Sequence, residues 1–126
     1  MIGISAFVLD QGVDVLSEWF HTAGDMEKAK LDSRMLHLRQ QRREKWTRPF
    51  YDTLRDGVGE VRFKANRIQH RALGFFGPDQ NEFTFLILAT KTNRFNPPNA
   101  IDIAVERRKL ILSGNAARHV ITRWDL

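Results

Sequence analysis

Between residues 59 and 91 three runs rich in Val, Ile, Phe and Leu follow one another, at 59–64, 68–76 and 83–91, each parted from the next by residues that favour turns. Short β-branched and aromatic runs bounded in this way form an antiparallel meander. Arg62 and Lys64 stand two residues apart in the first run, so a pleated strand sends both to one face and sends Val61 and Phe63 to the other. Arg71 lies in the second run. An even-numbered loop around Ala65, Asn66 and Arg67 puts Arg71 on the face of Arg62 and Lys64, whereas an odd loop puts it with the apolar set. The even register is the expected one, because it keeps charge off the core.

Cations stacked on one sheet face repel one another. A chain that tolerates this either pairs them with an acid, for which Glu60 is the local candidate, or presents them to an anion. The solvated face of a half-buried sheet, with Lys and Arg present for solubility, is a third account.

The chain has 126 residues and 42% hydrophobic content, which supports one domain over 1–126 with a modest core. It contains no apolar run of about 18 residues of the kind that crosses a membrane. The apolar stretch at 1–9 lacks a basic leader and a small-residue cleavage site, so it does not read as a signal peptide. The absence of Cys excludes disulfides, thiolate metal sites and a Cys nucleophile, and it fits the cytoplasm, the expected location. A net charge of +5 points to an anionic partner, nucleic acid first and an acidic protein second.

Residues 2–9 read as a strand. Asp10 is placed to cap a short helix bearing Val13, Leu16, Trp19 and Phe20 at helical spacing, and Gly24 to end it. A longer helix is expected over 26–45, packing its Leu31, Met35 and Leu38 side on Trp19 and Phe20 as a hairpin. Its far end carries Arg39, Arg42, Arg43 and Lys45, with Arg48 beyond; these cations complement a helix dipole or bind a polyanion. Residues 49–56 read as a connector. Asn96 followed by Pro97 reads as the start of a third helix over 98–112, stopped by Gly114, with 115–126 as a docked tail. The expected fold is therefore α+β: a small antiparallel sheet of about four strands with an N-terminal helical hairpin and a C-terminal helix. The four histidines show no metal-ligand spacing, and no Asp/Glu/His cluster, nucleophile elbow or phosphate- or dinucleotide-binding glycine loop is present. No metal and no cofactor are expected.

Gly-Val-Gly-Glu-Val-Arg-Phe-Lys at 57–64, Ile-Gln-His-Arg-Ala-Leu-Gly-Phe-Phe at 68–76, Lys91-Thr92, and Pro97-Pro98-Asn99-Ala100-Ile101 followed by Ala104 and Arg107-Arg108 form an ordered set. That set resembles the RelE/ParE toxin superfamily, and within it the phage-derived, HigB-like branch. The resemblance implies the toxin of a type II toxin–antitoxin pair, a metal-independent endoribonuclease that cuts mRNA on the ribosome and blocks translation. Its partners would be mRNA, the ribosome and a cognate helix-turn-helix antitoxin, with no membrane involved. Arg62 and Lys64 match positions of catalytic cations, Arg71 the phosphate-stabilising arginine, and Lys91 a further cation at the end of the last strand. Arg42, Arg43, Lys45, Arg67 and Arg94 are the candidates for RNA binding. Two positions depart from the pattern. Thr92 stands where some relatives carry arginine, and Phe95 with two prolines occupies the stretch where some carry tyrosine, the single tyrosine of this chain being Tyr51. Cleavage by 2′-hydroxyl attack needs a base, positive charge for the transition state and a proton for the leaving oxygen. Arginine stabilises charge but stays protonated, so a lysine serves better as base. His70 is a further acid–base candidate, although the even register turns it towards the core. Two other readings stay open: a ParE-like, non-enzymatic DNA gyrase inhibitor, which does not need the sheet cations, and an inactive phage-derived homologue that only binds an antitoxin.

Overall fold

In the computed structural model, which describes residues 1–125, the chain runs β1 (Gly3–Phe7), α1 (Val15–Thr22), α2 (Asp25–Leu38), β2 (Tyr51–Thr53), β3 (Gly59–Ala65), β4 (Ile68–Phe76), β5 (Glu82–Lys91), β6 (Phe95–Asn96), α3 (Ala100–Leu112) and β7 (Arg118–Val120), with a 3₁₀ turn at Arg43–Lys45. The loop between β3 and β4 has two residues, Asn66 and Arg67, both at positive φ (51° and 65°). That is the type I′ geometry, whose twist matches the strands it joins. It pairs Arg62 with Arg71 and Phe63 with His70, which is the even register.

The sheet departs from the expected small antiparallel one. Among the described residues it has seven strands in the order β2-β3-β4-β5-β1-β7, with β6 paired to the end of β5, and it is mixed, because β1 runs parallel to β5 from Gly3↔Glu82 to Ala6↔Phe85. A parallel pair requires a long crossover, and α1 to β4 all lie between these two strands in sequence. β1 is paired on both edges, and Ile4, Ser5, Ala6 and Phe7 are all buried, so it shows no alternation that would reveal a face. The connector contains β2, and the tail contributes β7, which pairs with β1.

The expected N-terminal helical hairpin also gives way. The chain opens on a strand, and the two helices lie on the sheet separately, α1 over β5 and β1 and α2 over β3. The Trp19 ring meets Phe63 and His70 at centroid distances of 6.0 and 6.2 Å, and Phe20 meets Trp124 of the tail at 6.3 Å. The helix starts shift with the capping groups. Asp14, not Asp10, caps α1 by accepting from the Ser17 N–H at 2.8 Å, and Gly24 is the N-cap of α2, where its own N–H donates to Glu27 at 2.6 Å. α2 stops at Leu38 rather than at Lys45, and α3 starts at Ala100 with Asn99 as its N-cap. Gly114, at φ 78°, does follow the end of α3.

Side chains alternate across the sheet to make two apolar faces. Phe63, His70, Phe83 and Phe85 meet α1, α2 and Trp124, which is 2% exposed. Leu73, Phe75 and Phe7 point the other way, towards α3, where Ala100 and Ala104 are fully buried and let the helix approach closely. β5 is bulged opposite Leu73 and Gly74, and there a Cβ on Gly74 would come within 2.5 Å of the Thr84 carbonyl oxygen and 2.6 Å of the Phe83 ring. Among the described residues no helix is long and apolar enough to cross a membrane.

His70 stacks on Phe63 with ring centroids 4.7 Å apart and planes 5° apart, and its Nε2 is buried without a hydrogen-bond partner. Burial pushes its pKa below the ordinary 6.5. The unfolded chain therefore binds the proton more readily, and stability that is full above pH 6.5 is lost as the pH falls towards the lowered folded value. In urea unfolding between pH 7 and 5, the wild type should lose more stability than His70→Phe, by up to ~1.4 kcal/mol per pH unit of the interval. Equal slopes for the two proteins would show that His70 is not held neutral.

Candidate functional site

The β3–β4 register sets Arg62 directly opposite Arg71 and Lys64 opposite Gln69, and the β4–β5 register sets Gln69 opposite Lys91. Arg62, Lys64, Arg71 and Lys91 thus share one face. Two facing guanidiniums repel, and a carboxylate between them offsets this. Glu60 is fully buried, and its Oε2 accepts from Arg62 Nε at 2.7 Å and lies 3.6 Å from Arg71 Nε. Asp52, opposite Glu60 on β2, accepts from Arg48 Nε and Nη2 at 3.0 and 2.7 Å and lies 3.5 Å from Arg62 Nη2. The face is therefore a chain of alternating charge from Arg48 to Arg71.

Arg71 is the most constrained of these cations, with 11% of its side chain exposed against 24% for Arg62. Its Nη1 donates to the His70 carbonyl at 3.0 Å and its Nη2 to Gln69 Oε1 at 3.3 Å. Burial lowers its pKa from the usual arginine value while Glu60 opposes the shift, and a guanidinium remains protonated throughout. Arg71 Nε and Glu60 Oε1 are buried without hydrogen-bond partners.

Beside Arg71 lies a groove of about 380 Å³ lined by Arg67, Gln69, Thr90, Lys91 and Thr92 among others. Lys64 is exposed, and the Lys91 ammonium rests 4.9 Å from the Phe95 ring centroid. Thr92 donates its N–H to the Arg94 carbonyl at 3.1 Å, which turns the chain after β5 and leaves the Arg94 side chain exposed.

Arg42, Arg43 and Lys45 stand elsewhere. The Arg43 guanidinium covers the Phe76 ring at 4.6 Å, and Phe76 is five positions beyond Arg71 on β4, ~16 Å along the strand and on the opposite face. Because these residues follow the end of α2 in a 3₁₀ turn, the helix dipole does not account for them. Tyr51 is also on the opposite face, 5% exposed among Trp46, Phe76 and Phe83, and burial raises its pKa to about 12. Gly59 passes so close that a Cβ there would collide with the Tyr51 hydroxyl.

Two residues of the face, Gln69 and Asp52, and one at its edge, Arg34, were not singled out from sequence. Gln69 follows directly from the even register, as the partner of Lys64. Asp52 gave no signal, because 49–56 reads as a connector. Arg34, on α2, donates from Nε to the Arg62 carbonyl at 2.9 Å and covers the Phe50 ring at 3.9 Å, so it closes the edge of β3 beyond β2. Among the described residues no three His, Cys, Asp or Glu side chains come together as a metal site would need. The groove offers positive charge from Arg67, Arg71 and Lys91 with amide and hydroxyl donors beside it, and Lys64 stands exposed on the same face outside its lining, an arrangement suited to an anionic phosphodiester.

A family model described as phage-derived protein Gp49-like (DUF891) matches residues 18–109, which take in the whole cationic face. The chain belongs to this family. The Gp49-like family lies within the RelE/ParE-like toxin group. The match leaves β1 and β7, the parallel and outermost additions to the meander, outside its span. Comparison with curated proteins and comparison with solved structures each gave no match.

Glu60→Gln keeps the shape and removes the charge between Arg62 and Arg71. Breaking a buried ion pair from one side costs about 3 kcal/mol, and the loss should appear in urea unfolding followed by tryptophan fluorescence. Asp52→Asn, at the more exposed end of the network, should cost far less. A Glu60→Gln protein as stable as the wild type would overturn the central place given to this carboxylate.

Proposed function

We propose that this Gp49-like protein is the toxin of a type II toxin–antitoxin pair, of the HigB-like kind, and acts in the cytoplasm as a metal-independent, ribosome-associated mRNA endoribonuclease that blocks translation. The observation that carries the reading is the convergence of Arg62, Lys64, Arg71 and Lys91 on one sheet face beside a groove. Attack by a 2′-hydroxyl builds negative charge on the scissile phosphate, and a positioned guanidinium meets that charge without reorganising. Arg71, near the middle of the sheet, takes this part with Arg62 beside it. Lys64 and Lys91 stand on either side of Gln69, two positions from Arg71 on the same face, and move the protons, since the arginines stay charged. Arg67 and Arg94 guide the RNA backbone at the rim. Arg42, Arg43 and Lys45 make a second, separate contact that contributes to binding rather than to chemistry. The antitoxin, a helix-turn-helix protein in this reading, neutralises the toxin by covering or distorting the cationic face.

One observation favours the inert-homologue reading. Arg71 is committed to Glu60, His70 and Gln69, and Tyr51 is buried on the other face, so neither is freely presented to a substrate.

The test is primer extension on mRNA from cells in which the protein is induced. Codon-phased cuts should appear with the wild type and fall about a hundredfold with Arg71→Ala, or ~3 kcal/mol of transition-state stabilisation. Arg71→Lys should not restore them, because a point charge lacks the planar fork. Arg42→Ala should cost much less. Thermal melting separates lost chemistry from lost fold. Cuts undiminished in a folded Arg71→Ala protein would refute the assignment, and a wild type that makes none would support gyrase inhibition if supercoiling fails first, or antitoxin binding alone if growth is unaffected.

A further inference from the structure

On one flank of α3 a groove of about 660 Å³ is floored by Phe7, Leu9, Ile103 and Leu110. A neighbouring groove of about 300 Å³ shares Leu9 and Arg107 with it and is lined by Val15, Trp19 and Leu88. The two meet at Leu9 and Arg107 and form a trough beside a helix, apolar along its larger part, where Leu9, Ile103 and Leu110 are half-buried. The polar rim has the opposite sign to the protein as a whole. Asp10, Asp102 and Glu106 border the first groove and Glu18 the second, on a chain of net charge +5. Asp102 and Glu106 are four residues apart on α3, a like-charge spacing that weakens a helix on its own.

The one cation in the trough is already committed. Arg107 donates from Nη1 to the Leu86 carbonyl at 2.8 Å and covers the Phe7 ring at 5.0 Å, so it is part of the wall. Asp102 is offset by Arg55, whereas Glu106 is exposed. From Asp102 to Leu110 the rim rises ~12 Å, about two helical turns. An apolar stripe of that length with acidic margins fits one kind of occupant.

We propose that this trough docks an amphipathic helix of a partner protein, one whose apolar stripe is bordered by Lys or Arg. The groove shares no lining residue with the one beside Arg71, so a bound helix leaves the cationic face open. The proposal does not depend on the nuclease reading.

The probes are two 14-residue peptides, an amphipathic Leu/Lys helix and its Leu/Glu counterpart, titrated into the isotope-labelled full chain and followed by amide chemical shifts. The Leu/Lys peptide should bind one to one, with the largest shifts at Leu9, Ile103 and Leu110, while the Leu/Glu peptide should leave the spectrum unchanged. Leu110→Asp should abolish binding, and the exposed substitution Glu106→Lys should weaken it at least tenfold without altering the thermal melt. Equal binding of both peptides, shifts centred on other residues, or no effect of Glu106→Lys would each overturn the proposal. Concentration-dependent shifts at the same residues without peptide would do so too, because the trough would then be a contact between two copies of this chain.

Discussion

Asn66 and Arg67, two consecutive residues in the left-handed region, hold β3 against β4 in a single register. A slip of one residue would exchange the faces of β4 and bring the Arg71 guanidinium against Phe63 and Trp19 while His70 turned to the groove. The seat of α1 depends on this register, because the Trp19 ring contacts both members of the Phe63–His70 stack. The ion-pair chain depends on it as well, since Glu60 can reach two guanidiniums only when Arg62 and Arg71 face each other. One short turn therefore fixes a core contact on one side of the sheet and a charged cluster on the other.

Glu60 turns a repulsive pair into a positioned one. A carboxylate with no exposed surface is costly to bury, and the arginines on either side provide the compensation. The same contacts limit what the arginines offer outward, so an anion that reaches Arg71 competes with a carboxylate already in place. The lysines supply the complement. Lys64 is exposed, and Lys91 is held only by an aromatic face. The face therefore divides its cations into ion-paired guanidiniums at the centre and, at the sides, lysines without an acidic partner among the described residues. This division suits a reaction in which charge must be met at a set point and protons must move.

The meander was legible in the sequence because its strands are β-branched and aromatic runs parted by turn residues, because β3 alternates Val61 and Phe63 with Arg62 and Lys64, and because its tight turn carries Asn next to the strand ends. The grouping of Arg62, Lys64 and Arg71 on one face followed from the same pattern. β2 and β7, at three residues each, are too short to show a period, and β1 is buried on both faces and finds its partner nearly eighty positions away. The end of α2 was misplaced for a tertiary reason. Arg, Gln and Lys after Leu38 are good helix formers, but Trp46 must turn inward, where it is 4% exposed against Tyr51, Phe76 and Phe83. Burying that indole overrides the local preference and carries Arg42, Arg43 and Lys45 away from the groove. The two helices gave amphipathic patterns that a hairpin or a sheet could equally satisfy, and the aromatic face of β3 to β5 wins them separately.

Helix α3 keeps the two surfaces of the molecule apart. Consecutive residues on a helix point about 100° from one another, so Arg107 and Arg108 leave its two flanks. Arg107 reaches the Leu86 carbonyl and Phe7, while Arg108 lies 5.6 Å from the Phe75 ring centroid and close against Gly57. Between them Ala100 and Ala104 sit directly on the sheet. A helix pinned by small residues beneath and an arginine on each side has little freedom to roll. Its acidic edge at Asp102 and Glu106 is thereby kept over the apolar trough, which shares no lining residue with the cationic groove along β4 and β5. Opposite charges would otherwise compete for each other across so small a sheet, and the rigid placement of α3 lets an acidic and a basic surface coexist on one chain.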